Sequence, residues 1–281
     1  RPMKPSPPVI KTRIHSPDQS ENPLESHHEG GFMEVKGVLL AGGLGTRLFP
    51  FTEHTNKTLL TLNDRPVIDF AMDTFRRSGI KEIIIIGNRF IQDIIEHVGE
   101  GAPDEVIHYV EEHEPEGVVN AINLARPFVE GCRMMLYFSD NITNWDFTDD
   151  VQLFSKDDIL PPGAVILLRR VNNPSEFGVC AFSSEGDLID IVEKPVEPPS
   201  NMAVGGIYLY DELFWEFLDI QASEKSEDIT ISDLNRVYLS KSCVHIRDAG
   251  DMTWIDCGTH EGLRIGSKLV KDGIISIGNR G

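Results

Sequence analysis

Positive charge is scarce in this chain: 26 Lys and Arg stand against 45 Asp and Glu, a net charge of −19 over 281 residues. That balance excludes a nucleic-acid or anionic-membrane surface, whose affinity depends on clustered cations. A nucleotide ligand is not excluded. A few local cations, backbone N–H groups and a divalent metal outweigh a distant acidic surface that is screened beyond ~8–10 Å. Cysteine is sparse too, and Cys132, Cys180, Cys243 and Cys257 show no Cys-x2-Cys spacing. They fit reduced thiols packed in a core, not a metal site or a disulfide framework. No apolar run approaches the ~18–20 residues that cross a bilayer, and no charged stretch followed by an apolar one opens the chain as a secretion signal would. The expectation is a cytoplasmic protein without membrane contact.

What the chain has is size and pattern. With 40% hydrophobic residues, 281 residues can bury a sizeable core. Residues 1–33 are proline-rich and polar, lack apolar periodicity, and read as a flexible leader or linker. His15, His27 and His28 within it read as solvated side chains. From Met33 onward, apolar runs at 38–40, 83–86, 106–110 and 134–138 are short and continuous, as in strands buried on both faces. Between them, 67–78, 90–98 and 118–128 carry apolar residues at helical spacing. That βαβα order predicts an α/β fold, a Rossmann-like three-layer sandwich around a central, mostly parallel, mixed sheet. Beyond residue 160, strand-like runs at 164–168, 179–182, 188–192 and 206–209 precede helices expected at 211–218, 232–239 and 260–271. One domain over 34–281, in two halves meeting near residue 160, is the expected organisation.

The most informative stretch follows the first of these strands. Gly42, Gly43 and Gly45 let the backbone turn sharply and approach a ligand without Cβ clashes. Exposed backbone N–H groups in such a loop make an anion site, to which Arg47 and Lys57 add full charges. A Walker A loop is excluded because Lys57-Thr58 follows Thr55-Asn56, not glycine. A dinucleotide fingerprint is excluded because position 48 is leucine. The reading is a triphosphate cradle. Ligands of open α/β sheets bind at the carboxyl ends of strands, where the glycine loop, Glu111/Glu112 and Asp140 all fall.

The string from Leu39 to Pro50 (Leu-Leu-Ala-Gly-Gly-Leu-Gly-Thr-Arg-Leu-x-Pro) resembles the signature loop of sugar-1-phosphate nucleotidyltransferases, the short glucose-1-phosphate thymidylyltransferase type above all. The resemblance continues in order through Asn56-Lys57-x-Leu59-Leu60 with Arg65-Pro66-Val67-Ile68, then Ser139-Asp140-Asn141 and Phe177-Gly178-Val179. It ends with Glu193-Lys194-Pro195, Ser200-Asn201-x-Ala203-Val204 and Trp254-Ile255-Asp256-x-Gly258-Thr259. By resemblance, residues of about 34–160 form a nucleotide half and about 161–281 a sugar-phosphate half. Leu40, Gly42, Gly43, Gly45, Thr46, Arg47, Glu112 and Gly117 would bind nucleotide. Gly178, Glu193, Lys194, Val204 and Trp254 would bind the acceptor, and Asp140 and Asp256 would hold Mg²⁺.

The implied chemistry is nucleotidyl transfer from an NTP to a sugar 1-phosphate or sugar-like phosphate, with pyrophosphate released. Its acceptor oxygen is already anionic near neutral pH, so the reaction needs charge neutralisation and alignment, not a general base. Arg47, Lys57, Asp140, Lys194 and Asp256 would carry it, and a hard divalent cation suits two carboxylates plus phosphate oxygens. At the base, Glu112 stands where thymidylyltransferases resembled here carry glutamine. An ionised carboxylate only accepts hydrogen bonds and suits guanine's paired donors. GTP is therefore the favoured donor, with dTTP/UTP or CTP as alternatives; a non-catalytic nucleotide-binding homologue is the other class of reading, and a homo-oligomer is left open. Thr58, Thr61 and Gly205 also depart from the resembled pattern.

Overall fold

The computed structural model of the protein describes the backbone of residues 9–11 and residues 32–156, 163–224, 229–250 and 252–278. Strands β1 (Val35–Ala41), β2 (Glu82–Gly87), β3 (Val106–Glu111) and β4 (Arg133–Phe138) are parallel, in the spatial order β3-β2-β1-β4. The chain winds outward from β1 to β3 and then crosses back to the far side of β1. A crevice therefore opens between the carboxyl ends of β1 and β4, the topological switch point. Val9–Lys11 pairs antiparallel with β3 at the sheet edge, so this piece of the expected leader joins the sheet. The rest of the leader up to residue 31, with His15, His27 and His28, lies outside the described residues.

The sheet then becomes antiparallel. The chain supplies β5 (Asn141–Thr143), β6 (Ala164–Arg170), β7 (Gly178–Phe182), β8 (Leu188–Glu193), β9 (Met202–Tyr210), β10 (Val244–Asp248) and β11 (Trp254–Asp256). β9 lies antiparallel to β4 through Ile207–Tyr210 and to β6 along its other edge. Its start meets β7, which forms a hairpin with β8, while β10 adds parallel to β6. β5 and β11 leave the main sheet as a separate antiparallel ladder.

Side-chain alternation along β1 divides the core into two faces. Val38 and Leu40 pack with α3 (Val118–Asn123), α5 (Phe214–Glu224) and α6 (Ile231–Ser240). Leu39 and Ala41 pack with α1 (Val67–Arg77), α2 (Ile91–Val98) and α4 (Thr148–Phe154). This is the expected three-layer, Rossmann-like α/β sandwich. A last helix, α7 (His260–Lys271), covers the β5–β11 ladder.

Two expected helices differ in extent. The helix expected over 118–128 stops at Asn123, and a separate turn forms over Arg126–Val129. Pro127 has no N–H to give the carbonyl of residue 123, and its ring would clash there. The helix expected from 211 begins at Phe214, because Asp211 makes a turn instead: its Oδ1 accepts from the Leu213 N–H at 3.2 Å.

Asp211 is buried, and its Oδ2 has no hydrogen-bond partner among the described residues. Burial first, and then the neighbouring Glu212 charge, push its carboxyl up to about 6 from 3.8, against the Tyr238 hydroxyl that donates to Oδ1 at 2.8 Å. The folded form holds this proton more tightly than the unfolded one. Its contribution is therefore complete below about pH 4 and lost as pH rises through about 6, roughly 3 kcal/mol in all. Asp211→Asn is expected to flatten that slope. Thermal melts between about pH 4 and pH 8 check it; parallel curves for variant and parent would refute the assignment.

Candidate active site

The crevice is assembled from turns that leave the strand ends. Gly45 adopts φ +64°, and its carbonyl accepts from Thr52 Oγ1 at 2.8 Å, closing the glycine loop after β1. Asn56 then ties the lysine turn to the strand. Its Nδ2 donates to the Ala41 carbonyl at 2.7 Å, and its Oδ1 accepts from the Thr58 N–H and hydroxyl, both at 2.9 Å. Thr58 is thus buried against Asn56 and turned away from the crevice, while the adjacent Lys57 reaches across the loop beside Gly43.

Asp140 follows β4. The Ser139 N–H donates to the Leu40 carbonyl at 3.1 Å, extending the β1–β4 ladder one residue past the strand end. Asp256 arrives from the opposite direction. The β5–β11 ladder pairs Asp256 with Asn141, and the Cys257 N–H donates to the Asp140 carbonyl at 2.7 Å. Gly258 marks where these groups converge. A Cβ there would stand 2.8 Å from Asp256 Oδ1, 2.9 Å from Asp140 Oδ2 and 3.0 Å from an Arg47 guanidinium nitrogen.

Two aspartates 116 positions apart in a 281-residue chain thus face one point. Lys57 Nζ donates to Asp140 Oδ2, and Asn141 Nδ2 donates to Asp140 Oδ1 at 2.8 Å. Burial opposes the Asp140 charge, but the Lys57 ammonium and these hydrogen bonds outweigh it and hold the carboxyl below its usual range. Asp256 has less help. Burial first, and then the Asp140 charge, push it up to about 6, despite a Gly258 N–H donated at 2.6 Å. Two hard oxygen donors in this state fit a small divalent cation, which takes few carboxylates and completes its shell with water and phosphate oxygens. Two carboxylates and no third acidic or imidazole ligand are present, since no group of three such residues suited to a metal occurs among the described residues.

The same cavity, about 270 Å³, continues under β7, β8 and β9 and is lined by Gly178, Glu193, Lys194, Val204 and Trp254. Lys194 follows β8 in a left-handed conformation, φ +42°, and its exposed side chain borders the cavity with Nζ 3.7 Å from Glu193 Oε1. Ser232, at the start of α6, donates to Glu193 Oε2 at 2.6 Å and leaves no room for a side chain at Gly178. Trp254 meets Phe177 edge-on and presents an Nε1–H that has no partner among the described residues, 3.6 Å from where a Cβ on Gly205 would stand. Asn141 Oδ1 and Ser139 Oγ, on either side of Asp140, are also buried and find no partner among the described residues. Such polar atoms are rare in an interior and await a hydrogen-bonding ligand or water.

Other expected site residues lie elsewhere. Glu112 packs against Gly42 at the end of β3. Leu40 is inside the core, Thr46 is exposed on the loop, and Gly117 opens α3 at φ +98° with nothing near it. None of these lines the cavity.

A family model described as nucleotidyl transferase matches residues 36–272. The chain belongs to the nucleotidyl transferase family. Among its relatives it sits with the sugar-1-phosphate nucleotidyltransferases, and it is an enzyme of that class. A glucose-1-phosphate thymidylyltransferase of Xanthomonas campestris pv. campestris is 34% identical over 239 residues, covering 84% of this chain and 80% of its own. One from Neisseria meningitidis is 32% identical over 244 residues, covering 84% and 83%. A solved Bacillus anthracis structure, described as a glucose-1-phosphate thymidylyltransferase in complex with a sucrose, superposes with a TM-score of 0.79 at 32% identity, over 87% of this chain and 98% of that one.

In this nucleotidyltransferase, reasoning from the sequence missed Asn56 and Ser232. Asn56 beside the lysine carried a usable signal, since Asn before a short turn caps it. Ser232 gave none, because only the folded chain brings α6 against β8. No described helix is long and apolar enough to cross a membrane.

Proposed function

We propose that this enzyme transfers a thymidylyl group from dTTP to a sugar 1-phosphate, glucose 1-phosphate being the first candidate, and releases pyrophosphate. The convergence of Arg47, Asp140 and Asp256 on Gly258, in one cavity with Glu193 and Lys194, carries the reading. The choice of dTTP rests on the names of the relatives. The GTP preference expected from an ionised Glu112 gives way to them. In the described reaction, an anionic oxygen of the sugar phosphate attacks the α-phosphorus in line, the new P–O bond forms, and the bond to the β-phosphate oxygen breaks. Arg47, whose planar fork matches phosphate oxygens, holds the departing diphosphate. Lys57 offsets charge that builds at the α-phosphate, and Lys194 draws in the acceptor's phosphate. Glu193 accepts from acceptor hydroxyls, while Ser232 keeps its carboxylate in place. Asp140 and Asp256 would hold Mg²⁺, which when bound neutralises the triphosphate and helps align it.

A matrix of dTTP, UTP, GTP and CTP against several sugar 1-phosphates, scored by pyrophosphate release with Mg²⁺, tests the reading. The highest kcat/KM should fall on dTTP; release with GTP alone would overturn the donor assignment. Lys194→Ala is expected to raise KM for the sugar phosphate about tenfold, with a smaller change in KM for the nucleotide, because one exposed charge contributes about 1–1.5 kcal/mol to phosphate binding. Lys194→Arg should recover part of the loss. An unchanged sugar-phosphate KM would remove Lys194 from the acceptor site.

A further inference from the structure

Three side chains packed against the glycine loop take alternate carbonyls of it. Asn56, only 1% exposed, donates from Nδ2 to the Ala41 carbonyl at 2.7 Å. Asn88, one residue past β2 and also buried, donates from Nδ2 to the Gly43 carbonyl at 3.4 Å. The buried Thr52 donates its hydroxyl to the Gly45 carbonyl at 2.8 Å. The two amides brace each other, since Asn88 Oδ1 accepts from Asn56 Nδ2 at 3.2 Å and from the Phe90 N–H at 3.0 Å. The Asn88 carbonyl accepts from the Ile91 N–H at 2.8 Å, which fixes the residue to the start of α2. A strand end and a helix start thus anchor the clamp.

A trans peptide is planar, so its C=O and the N–H that follows point in opposite directions. Each carbonyl drawn toward its clamp therefore turns the next N–H away from it. Those N–H groups belong to Gly42, Leu44 and Thr46, and none has a backbone partner among the described residues. Three such donors in alternation along one short loop suit an anion. The lysine is set by the same residues. Asn56 precedes Lys57, whose Nζ lies 3.2 Å from where a Cβ on Gly43 would stand. Holding Gly43 in place therefore also fixes the gap between the loop and the ammonium.

We propose that Asn56, Asn88 and Thr52 are positioning residues for the triphosphate: they pin the carbonyls of Ala41, Gly43 and Gly45 so that the N–H groups of Gly42, Leu44 and Thr46 face the phosphates. They act through the loop and not on the phosphates themselves. The proposal rests on the nucleotidyl-transfer reading above and adds what preorganises its donors. Glycine has the most conformational freedom to lose, so an unclamped loop would lose affinity to its own ordering.

Titration calorimetry of the full chain with inorganic tripolyphosphate in Mg²⁺ reads the loop without base, sugar or turnover. Thr52→Val keeps the side chain's shape and removes its hydroxyl, and should weaken binding about fivefold, the contribution of one hydrogen bond. Asn88→Ala should weaken it about tenfold, because it releases Gly43 and loosens Asn56 as well. Thr52→Ser restores the hydroxyl and should recover most of the affinity lost in Thr52→Val. Steady-state kinetics give a second readout: KM for the nucleotide should rise with the loss, while KM for the sugar phosphate stays within about twofold. A variant that only loses folded protein would show it in melting curves and leave both constants alone. Tripolyphosphate affinity unchanged in both Thr52→Val and Asn88→Ala would overturn the proposal. So would equal losses in Thr52→Ser and Thr52→Val, or a parent that does not bind tripolyphosphate. Clamp-dependent tripolyphosphate binding with pyrophosphate released from GTP alone, or not at all, would sink only the donor or the catalytic reading.

Discussion

Asp140→Ala is expected to lower turnover by about 10³-fold or more, a loss of roughly 4 kcal/mol of transition-state stabilisation. Asp140 is the better prepared of the two carboxylates. Lys57 and Asn141 hold it charged, whereas burial and the Asp140 charge leave Asp256 partly protonated near pH 6. Its removal takes away one of the two carboxylates that would hold Mg²⁺ and also frees the Lys57 ammonium from the place that aims it past Gly43. A collapse of the fold would produce the same loss, so melting curves and the milder Asp140→Asn belong in the same experiment. Asn keeps the shape and one oxygen but not the charge, and should fall nearly as far as Ala. Pyrophosphate release that survives Asp140→Ala at more than about a tenth of the parent rate would end the metal assignment for this residue.

Gly258→Ala is expected to cost about 10²-fold in kcat while leaving nucleotide affinity within a few-fold, since a displacement of about 1 Å in a reacting constellation suffices for such a loss. The added methyl would sit under 3 Å from both Asp256 Oδ1 and Asp140 Oδ2. Short aspartate side chains anchored by Lys57, Asn141 and the Gly258 N–H have little freedom to swing aside. Gly258 has no left-handed φ, so the substitution acts by bulk and not by backbone strain. Steady-state kinetics with Mg²⁺ varied separate the outcomes. A variant with parental kcat would show that the two carboxylates do not act at this point.

Much of the architecture was legible from local pattern. The apolar run at 83–86 and the glycines after 38–40 report burial and turning, which depend on neighbours in sequence. The βαβ order reports handedness and strand adjacency through rules that hold for nearly all such folds. Helix 118–128 was overextended because Pro127 acts four residues back, at Asn123. β10 escaped notice, since His245, Arg247 and Asp248 make it an edge strand with polar exposure.

By itself, the order of residues determined that this chain makes a parallel α/β sheet with a glycine loop at one strand end and cations beside it. Each of those features needs only local sterics, hydrophobic periodicity and chain handedness. Tertiary structure alone decided that β11 returns to pair with β5 and sets Asp256 against Asp140, and that Ser232 supports Glu193. These are contacts across long loops, fixed by the joint packing of distant elements, and charge states follow from them.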